Sequence, residues 1–377
     1  MLTLSETSES EVLWERPQQV ATRLARKGHT ILYVQGPLYL DSLSWIIKSG
    51  NFFFKKNFAP QLSTVNLFLP PFQGKLRFFS DSFQAPIFKL YLRILRFKPD
   101  ATIFYGIEYV SLLKTLKSAG SKILYDCVDE VSGFSSVVNA ESVLHKEKQL
   151  VAGSSIVIAA SRALFQKLSK LNPNCFYIPN GADVPHFLKT AKTTKIREIE
   201  HLKHPIIGYI GAINDWFDVE LVTRLAESHP EYSVLIVGPV NYGLEEFNRH
   251  PNITLTGTKK YEVVPKYLAH MDVCMIPFKI NKLTSAVNPI KLYEYLAAGK
   301  PVVSTAIPEV RENTSKLVYI GENREDFIKK VEEAVGEPKK PEHAALIAAR
   351  MKFAQENSWE ERVDEIEKLL RQTVYSH

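Results

Sequence analysis

Short apolar runs rich in β-branched residues alternate, nearly from end to end, with longer stretches whose apolar positions recur every three or four residues. The first pattern suits strands buried on both faces and the second amphipathic helices, so the chain reads as parallel sheets joined by helical crossovers. One series of strands is predicted at 1–4, 30–34, 101–105, 122–126, 155–160 and 175–178. A second is predicted at 206–210, 232–237, 253–256, 273–276, 301–305 and 317–320, with helices such as 218–228 and 289–298 between its members. The turn-forming cluster Pro179-Asn180-Gly181-Ala182-Asp183 and the polar residues after it place a linker near 183–204. From residue 338 onward only helical periodicity remains, with a break and restart at Asn357-Ser358-Trp359.

Composition narrows this. At 377 residues, 45% of them hydrophobic and 23% charged, the chain has the make-up of two folded domains, which excludes a disordered protein or a single small binding module. Cys127, Cys175 and Cys274 are odd in number and far apart, so neither a disulfide framework nor a zinc site is expected, and the reducing cytoplasm fits best. No signal peptide and no spanning helix is expected. The net charge of +6 is uneven: residues 42–99 hold nine Lys or Arg against the single acid Asp81, interleaved with thirteen aromatics. Such a stretch suits an anionic membrane interface or a lipid-diphosphate-linked glycan; the alternative is a core whose lysines reach out to water. No nucleic-acid motif accompanies it, so no nucleic-acid partner is expected.

In open parallel sheets, ligands sit beyond the carboxyl ends of the strands. Gly211 and Asn214 follow the first strand of the second series, Gly238 the next, and Thr258 the one after. The richest segment follows the strand 273–276. There Asn288 is a candidate N-cap and Pro289 a first helical residue, so a helix starts at the ligand edge with its unpaired N–H groups exposed. Lys291 in the first turn adds the charge a diphosphate requires. Glu294, three residues on, lies on nearly the same face and can accept two ribose hydroxyls; an intrahelical ion pair is the alternative.

The run Asn288-Pro289-Ile290-Lys291-Leu292-Tyr293-Glu294-Tyr295-Leu296-Ala297-Ala298-Gly299-Lys300-Pro301 resembles the donor-nucleotide segment of GT-B glycosyltransferases of the retaining, glycogen-synthase-like and mannosyltransferase-like superfamily. Ile178-Pro179-Asn180-Gly181-Ala182-Asp183 and Gly208-Tyr209-Ile210-Gly211 are similar to further motifs of that family. Trp14-Glu15-Arg16-Pro17-Gln18-Gln19, Tyr125-Asp126-Cys127-Val128-Asp129-Glu130 and Asp215-Trp216-Phe217-Asp218 resemble its bacterial cell-surface polysaccharide branch, which includes teichuronic acid glycosyltransferases. The resemblance implies an α/β GT-B fold: an acceptor-binding Rossmann-like domain over 1–184, a nucleotide-sugar-binding one over 185–356, and a final helix, 357–377, crossing back to the first. It also implies retaining transfer of a sugar from a nucleotide diphosphate, first of all UDP, to a glycan or lipid-linked acceptor, without metal or cofactor.

Two departures from the family pattern stand out. Ala286 occupies the position of the family's first glutamate, eight residues before Glu294, leaving Asn281, Thr284, Ser285, Ala286, Val287 and Asn288 as candidates for sugar recognition. The loop after the strand 206–210 reads Asn214-Asp215-Trp216 in place of the family's Arg and Lys, so Lys279 or Lys282 is expected to help hold the phosphates. No histidine stands in 125–130, where relatives carry one near the reacting carbon. Asp129 and Glu130 are the expected replacements, with Asp126 as support. Ser5, Glu6, Trp14, Arg16 and Glu108 are expected at the acceptor side, packing being the alternative for Trp14. The enzyme is expected in the cytoplasm, peripheral at the inner face of the cell membrane. A nucleotide-sugar epimerase of related fold and a non-catalytic nucleotide-sugar-binding protein are the competing readings.

Overall fold

The computed structural model describes residues 1–5, 14–39, 56–59, 61–69, 77–134, 139–188 and 195–375. Glu6 lies outside them. Two sheets organise the chain. The first has eight strands in the order β3-β4-β2-β1-β5-β6-β7-β8, built from β1 (Leu2–Ser5), β2 (Ile31–Tyr39), β3 (Lys56–Ala59), β4 (Leu62–Leu69), β5 (Ala101–Phe104), β6 (Lys122–Cys127), β7 (Ile156–Ala159) and β8 (Cys175–Tyr177). All pair in parallel except the edge strand β3, which runs antiparallel to β4. The second has six parallel strands in the order β11-β10-β9-β12-β13-β14: β9 (Ile206–Ile210), β10 (Ser233–Val237), β11 (Ile253–Leu255), β12 (Val273–Ile276), β13 (Val302–Thr305) and β14 (Tyr319–Gly321).

Parallel strands need cover on both faces, and β5, β9, β10 and β12 are buried at every residue, as their continuous apolar runs require. In each sheet the chain builds outward on one side of its first strand and then crosses to the other. The strand order therefore reverses between β1 and β5 and between β9 and β12, and a crevice opens beyond the carboxyl ends of those strands.

The helix Trp359–Tyr375 returns to the first domain. Its Trp359, Val363, Ile366 and Leu370 share a core with Val20, Ala21 and Leu24 of the helix Arg16–Arg26. The crossing runs against residues 181–182. Ala182 N–H donates to the Asn357 carbonyl (3.0 Å) and Trp359 N–H to the Ala182 carbonyl (3.0 Å). A Cβ on Gly181 would stand 2.8 Å from the Asn357 carbonyl oxygen, so the close approach itself demands glycine there.

Candidate active site

A cavity of about 720 Å³ lies between the two domains. The first domain contributes Trp14, Glu15 and Arg16 before and at the start of a helix, Tyr105 to Glu108 after β5, and Val128, Asp129, Val131 and Phe134 after β6. The second contributes Ile210 at the end of β9 and Gly211 after it, Trp216, Tyr261, Phe278 after β12, and Val287 to Lys291 with Glu294. Two aromatic pairs span the domains: Trp14 stacks on Tyr261 at 5.6 Å, and Phe134 meets Trp216 edge-on at 6.1 Å.

The helix expected at the donor edge is Ile290–Ala297, with Pro289 in the capping position. Asn288 is therefore not the N-cap. Its buried side chain ties the domains together instead: Oδ1 accepts from Asn180 N–H (3.1 Å), and Nδ2 donates to the Tyr293 hydroxyl (3.1 Å). Asn180 Nδ2 in turn donates to the Asn288 carbonyl at 2.6 Å.

Lys291 lies in the first turn of that helix, its ammonium 5.6 Å from the centre of the Tyr209 ring. Burial pulls its pKa below the ordinary lysine value, while Glu294 and Glu15 pull it back up. The lysine stem runs along Gly211, where a Cβ would stand 2.1 Å from Lys291 Cε; Gly211 also holds φ +147°, a backbone region essentially reserved for glycine. Burial pushes the Glu294 carboxyl up to about 7, against the opposing pull of Lys291. Across the cavity, burial raises Asp129 to about 6, helped by the negative charge of Glu15. Glu15 is itself raised by burial and drawn down by Lys291, so Lys291, Glu15 and Asp129 form an electrostatic chain from one domain to the other. Glu108 is raised by burial, and its Oε2 is buried without a hydrogen-bond partner among the described residues.

Several expected site residues lie elsewhere. Glu130 turns from the cavity into an ion pair with Lys167 (2.8 Å), which also binds Glu147 (2.7 Å) and holds the Glu130 carboxyl below its ordinary range despite burial. Asp126 is buried under the site, where Arg16 Nε donates to it at 2.8 Å. Arg16 Nη1 donates to the Pro179 carbonyl and the Asn180 side chain, so this cation is spent on architecture although it borders the cavity. Asn214 accepts from Asn241 (3.0 Å), away from the cavity wall. Gly238 packs behind Gly211, with room for no Cβ against the Gly211 carbonyl. Thr258 and Asn281 are exposed; Asn281 accepts from Thr284 N–H in its own loop. Ser285 does not line the cavity, and Ala286 packs into the core of the first domain. Neither lysine offered as a phosphate clamp reaches the wall: Lys279 donates to the Asp215 carbonyl (2.9 Å) and Lys282 to the Ser132 hydroxyl (2.8 Å). Ser5, expected in the loop after the first strand, is instead the last residue of β1.

Glu15, Tyr105 and Tyr261 are wall residues that sequence reasoning did not single out. Glu15 sits inside a quoted motif and caps the helix Arg16–Arg26, whose second residue is Pro17. Tyr261 carries no such signal. Among the described residues, no three His, Cys, Asp or Glu side chains are grouped to hold a metal ion.

Two Rossmann-like domains facing each other across such a cavity define the GT-B architecture, and solved glycosyltransferases of that fold superpose over the whole chain. Sucrose-phosphate synthase of Thermosynechococcus elongatus is 16% identical with a TM-score of 0.78, covering 98% of each chain. The Anabaena protein HepE, solved in complex with UDP and glucose, is 14% identical with a TM-score of 0.69, again covering 98% of each. Residues 204–337, within the second domain, match the family of group 1 glycosyl transferases. Over 253 residues the chain is 26% identical to TuaH of Bacillus subtilis (strain 168), a protein provisionally assigned as a teichuronic acid biosynthesis glycosyltransferase; the match spans 62% of this chain and 64% of that relative.

Proposed function

We propose that this protein transfers a sugar, with retention of configuration, from a nucleotide diphosphate donor to a glycan or lipid-linked acceptor of the cell surface. The observation that carries the reading is Lys291 with Glu294 at the start of a helix in a group 1 domain, set opposite Glu15 and Asp129 of the other domain. Lys291 and the free N–H groups of the first helical turn supply positive charge for the diphosphate, in place of a divalent cation. Glu294 receives the ribose hydroxyls. Departure of the diphosphate leaves developing positive charge on the sugar, which a carboxylate beside it stabilises. Asp129, in the first-domain wall of the cavity, is our candidate for that role, and its raised pKa suits a group that takes up the acceptor's proton near neutrality. UDP is the proposed nucleotide, as in the HepE complex.

The proposal extends to the membrane. Among the described residues no helix is long and apolar enough to cross a bilayer. The helix Arg77–Ile94, however, exposes Leu90 and Ile94 (58% and 70%) beside exposed Lys89 and Arg93, a basic and apolar face suited to an anionic surface. Gln84, on the buried side of the same helix, donates to the Glu108 carbonyl (3.3 Å), so the helix abuts the acceptor side of the cavity.

Calorimetric titration with UDP, GDP and dTDP in chelator tests the donor site. The expected outcome is binding of UDP that weakens at least about tenfold in Lys291→Ala, the loss of one charge-assisted contact. Absence of binding by all three would overturn the donor assignment.

A further inference from the structure

The charge of the cavity is divided unequally between its two walls. Glu15, Glu108 and Asp129 all line the first-domain side. Among the described residues that line it, the cation on that side is Arg16, fully buried and neutralised by Asp126 at 2.8 Å. Lys291, the ammonium group among the lining residues, belongs to the opposite wall. Trp14, Tyr105 and Phe134 line the same side, so carboxylates and aromatic rings share that wall.

We propose that the first-domain wall selects an uncharged pyranose as acceptor and rejects uronates and sugar phosphates. This rests on the glycosyltransferase reading of the same cavity. Aromatic rings present flat apolar surface to the C–H faces of a sugar, while carboxylates accept hydrogen bonds from its hydroxyls. The same carboxylates repel an anionic substituent in a partly buried, poorly screened setting, where like charges are costly. Glu108 sharpens the selection. Its Oε2 is buried with no partner among the described residues, against the backbone of Gly106, so the carboxylate is fixed at the cavity wall with its negative charge uncompensated by hydrogen bonds at that oxygen and disfavours a second negative charge beside it. Any phosphate that links the acceptor to a lipid stays outside this wall.

The test is saturation-transfer NMR on the full chain at pH 8 with three probes: methyl β-D-glucopyranoside, its 2-acetamido analogue and methyl β-D-glucopyranosiduronate, each with and without saturating UDP. Expected is binding of one or both neutral glycosides and at least about tenfold weaker binding of the uronate, as like-charge placement demands. In Glu108→Gln and in Asp129→Asn the gap narrows, because an amide of the same shape no longer repels the anion. Equal or tighter binding of the uronate overturns the inference, as does an unchanged gap in both variants or failure of all three probes to bind. Failure of UDP alone overturns the donor reading and leaves the ratio of neutral to anionic probe measurable.

Discussion

Replacing Gly211 by alanine separates two effects that one residue carries. The backbone there sits at φ +147°, and holding a non-glycine residue in such a region costs about 1–3 kcal/mol. At about 2–4 °C per kcal/mol for a domain of this size, the midpoint of thermal unfolding should fall by roughly 2–12 °C. The new methyl group would also stand 2.1 Å from Lys291 Cε and 2.5 Å from Nζ, so the ammonium must leave its place over Tyr209. If that ammonium holds the diphosphate, displacing it forfeits a charge-assisted contact worth about 1.5–3 kcal/mol, or roughly ten- to a hundredfold in UDP affinity. Gly28→Ala is the control. Its φ of +97° is equally hostile to alanine, but among the described residues nothing stands within 4 Å of the added Cβ. Both variants should lose stability in calorimetric melts, and only Gly211→Ala should lose UDP affinity in titration. A folded Gly211→Ala protein that binds UDP like the parent would refute the placement of Lys291 at the phosphates.

Three further outcomes are expected. Because Asp129 and Glu294 are raised to about 6 and about 7, the folded state holds their protons more tightly than the unfolded chain does; their stabilising contribution is full near pH 4 and lost as pH rises to about 7, a decline in melting temperature that Asp129→Asn and Glu294→Gln should flatten. If ribose hydroxyls bind the ionised Glu294, UDP binding at pH 6 should release about 0.9 of a proton from a carboxyl of pKa about 7; titration in buffers of different ionisation enthalpy should show that release diminished by the same amount in Glu294→Gln. Arg16→Met strands the buried Asp126 carboxylate and should destabilise the protein by about 3–5 kcal/mol in denaturant melts, with Asp126→Asn in the same background restoring part of the loss.

The parallel strands were legible because their apolar runs are continuous: β9 and β12 lie where the pattern places them, residue for residue. The pair β3 and β4 was not. An antiparallel edge strand has no continuous apolar run, and Lys56, Phe58 and Phe68 merge with the basic and aromatic residues around them. Nor was the helix Arg77–Ile94, which carries Pro86 in its interior. At the site, Lys291, Glu294 and Gly211 follow from strand order and helix starts, rules that act over a few residues, whereas Asp129 was expected from the family resemblance. Glu130 failed because the partner that captures it, Lys167, is thirty-seven residues away in sequence. Tyr261 meets the cavity through the mutual orientation of the domains, which no local pattern encodes.

The return of the last helix has a consequence for biosynthesis. Trp359, Val363, Ile366 and Leu370 fill the groove over the helix Arg16–Arg26, and Arg16 lies 5.9 Å from the Trp359 ring centre. On the ribosome, the first sheet is complete once Tyr177 has emerged, yet this groove stays uncovered until Leu370 does. At about 5–20 residues per second, that leaves an apolar surface open for roughly 10–40 s while the whole second domain is being made. A nascent chain of this protein is most open to chaperones, and to mispairing with its neighbours, during that interval.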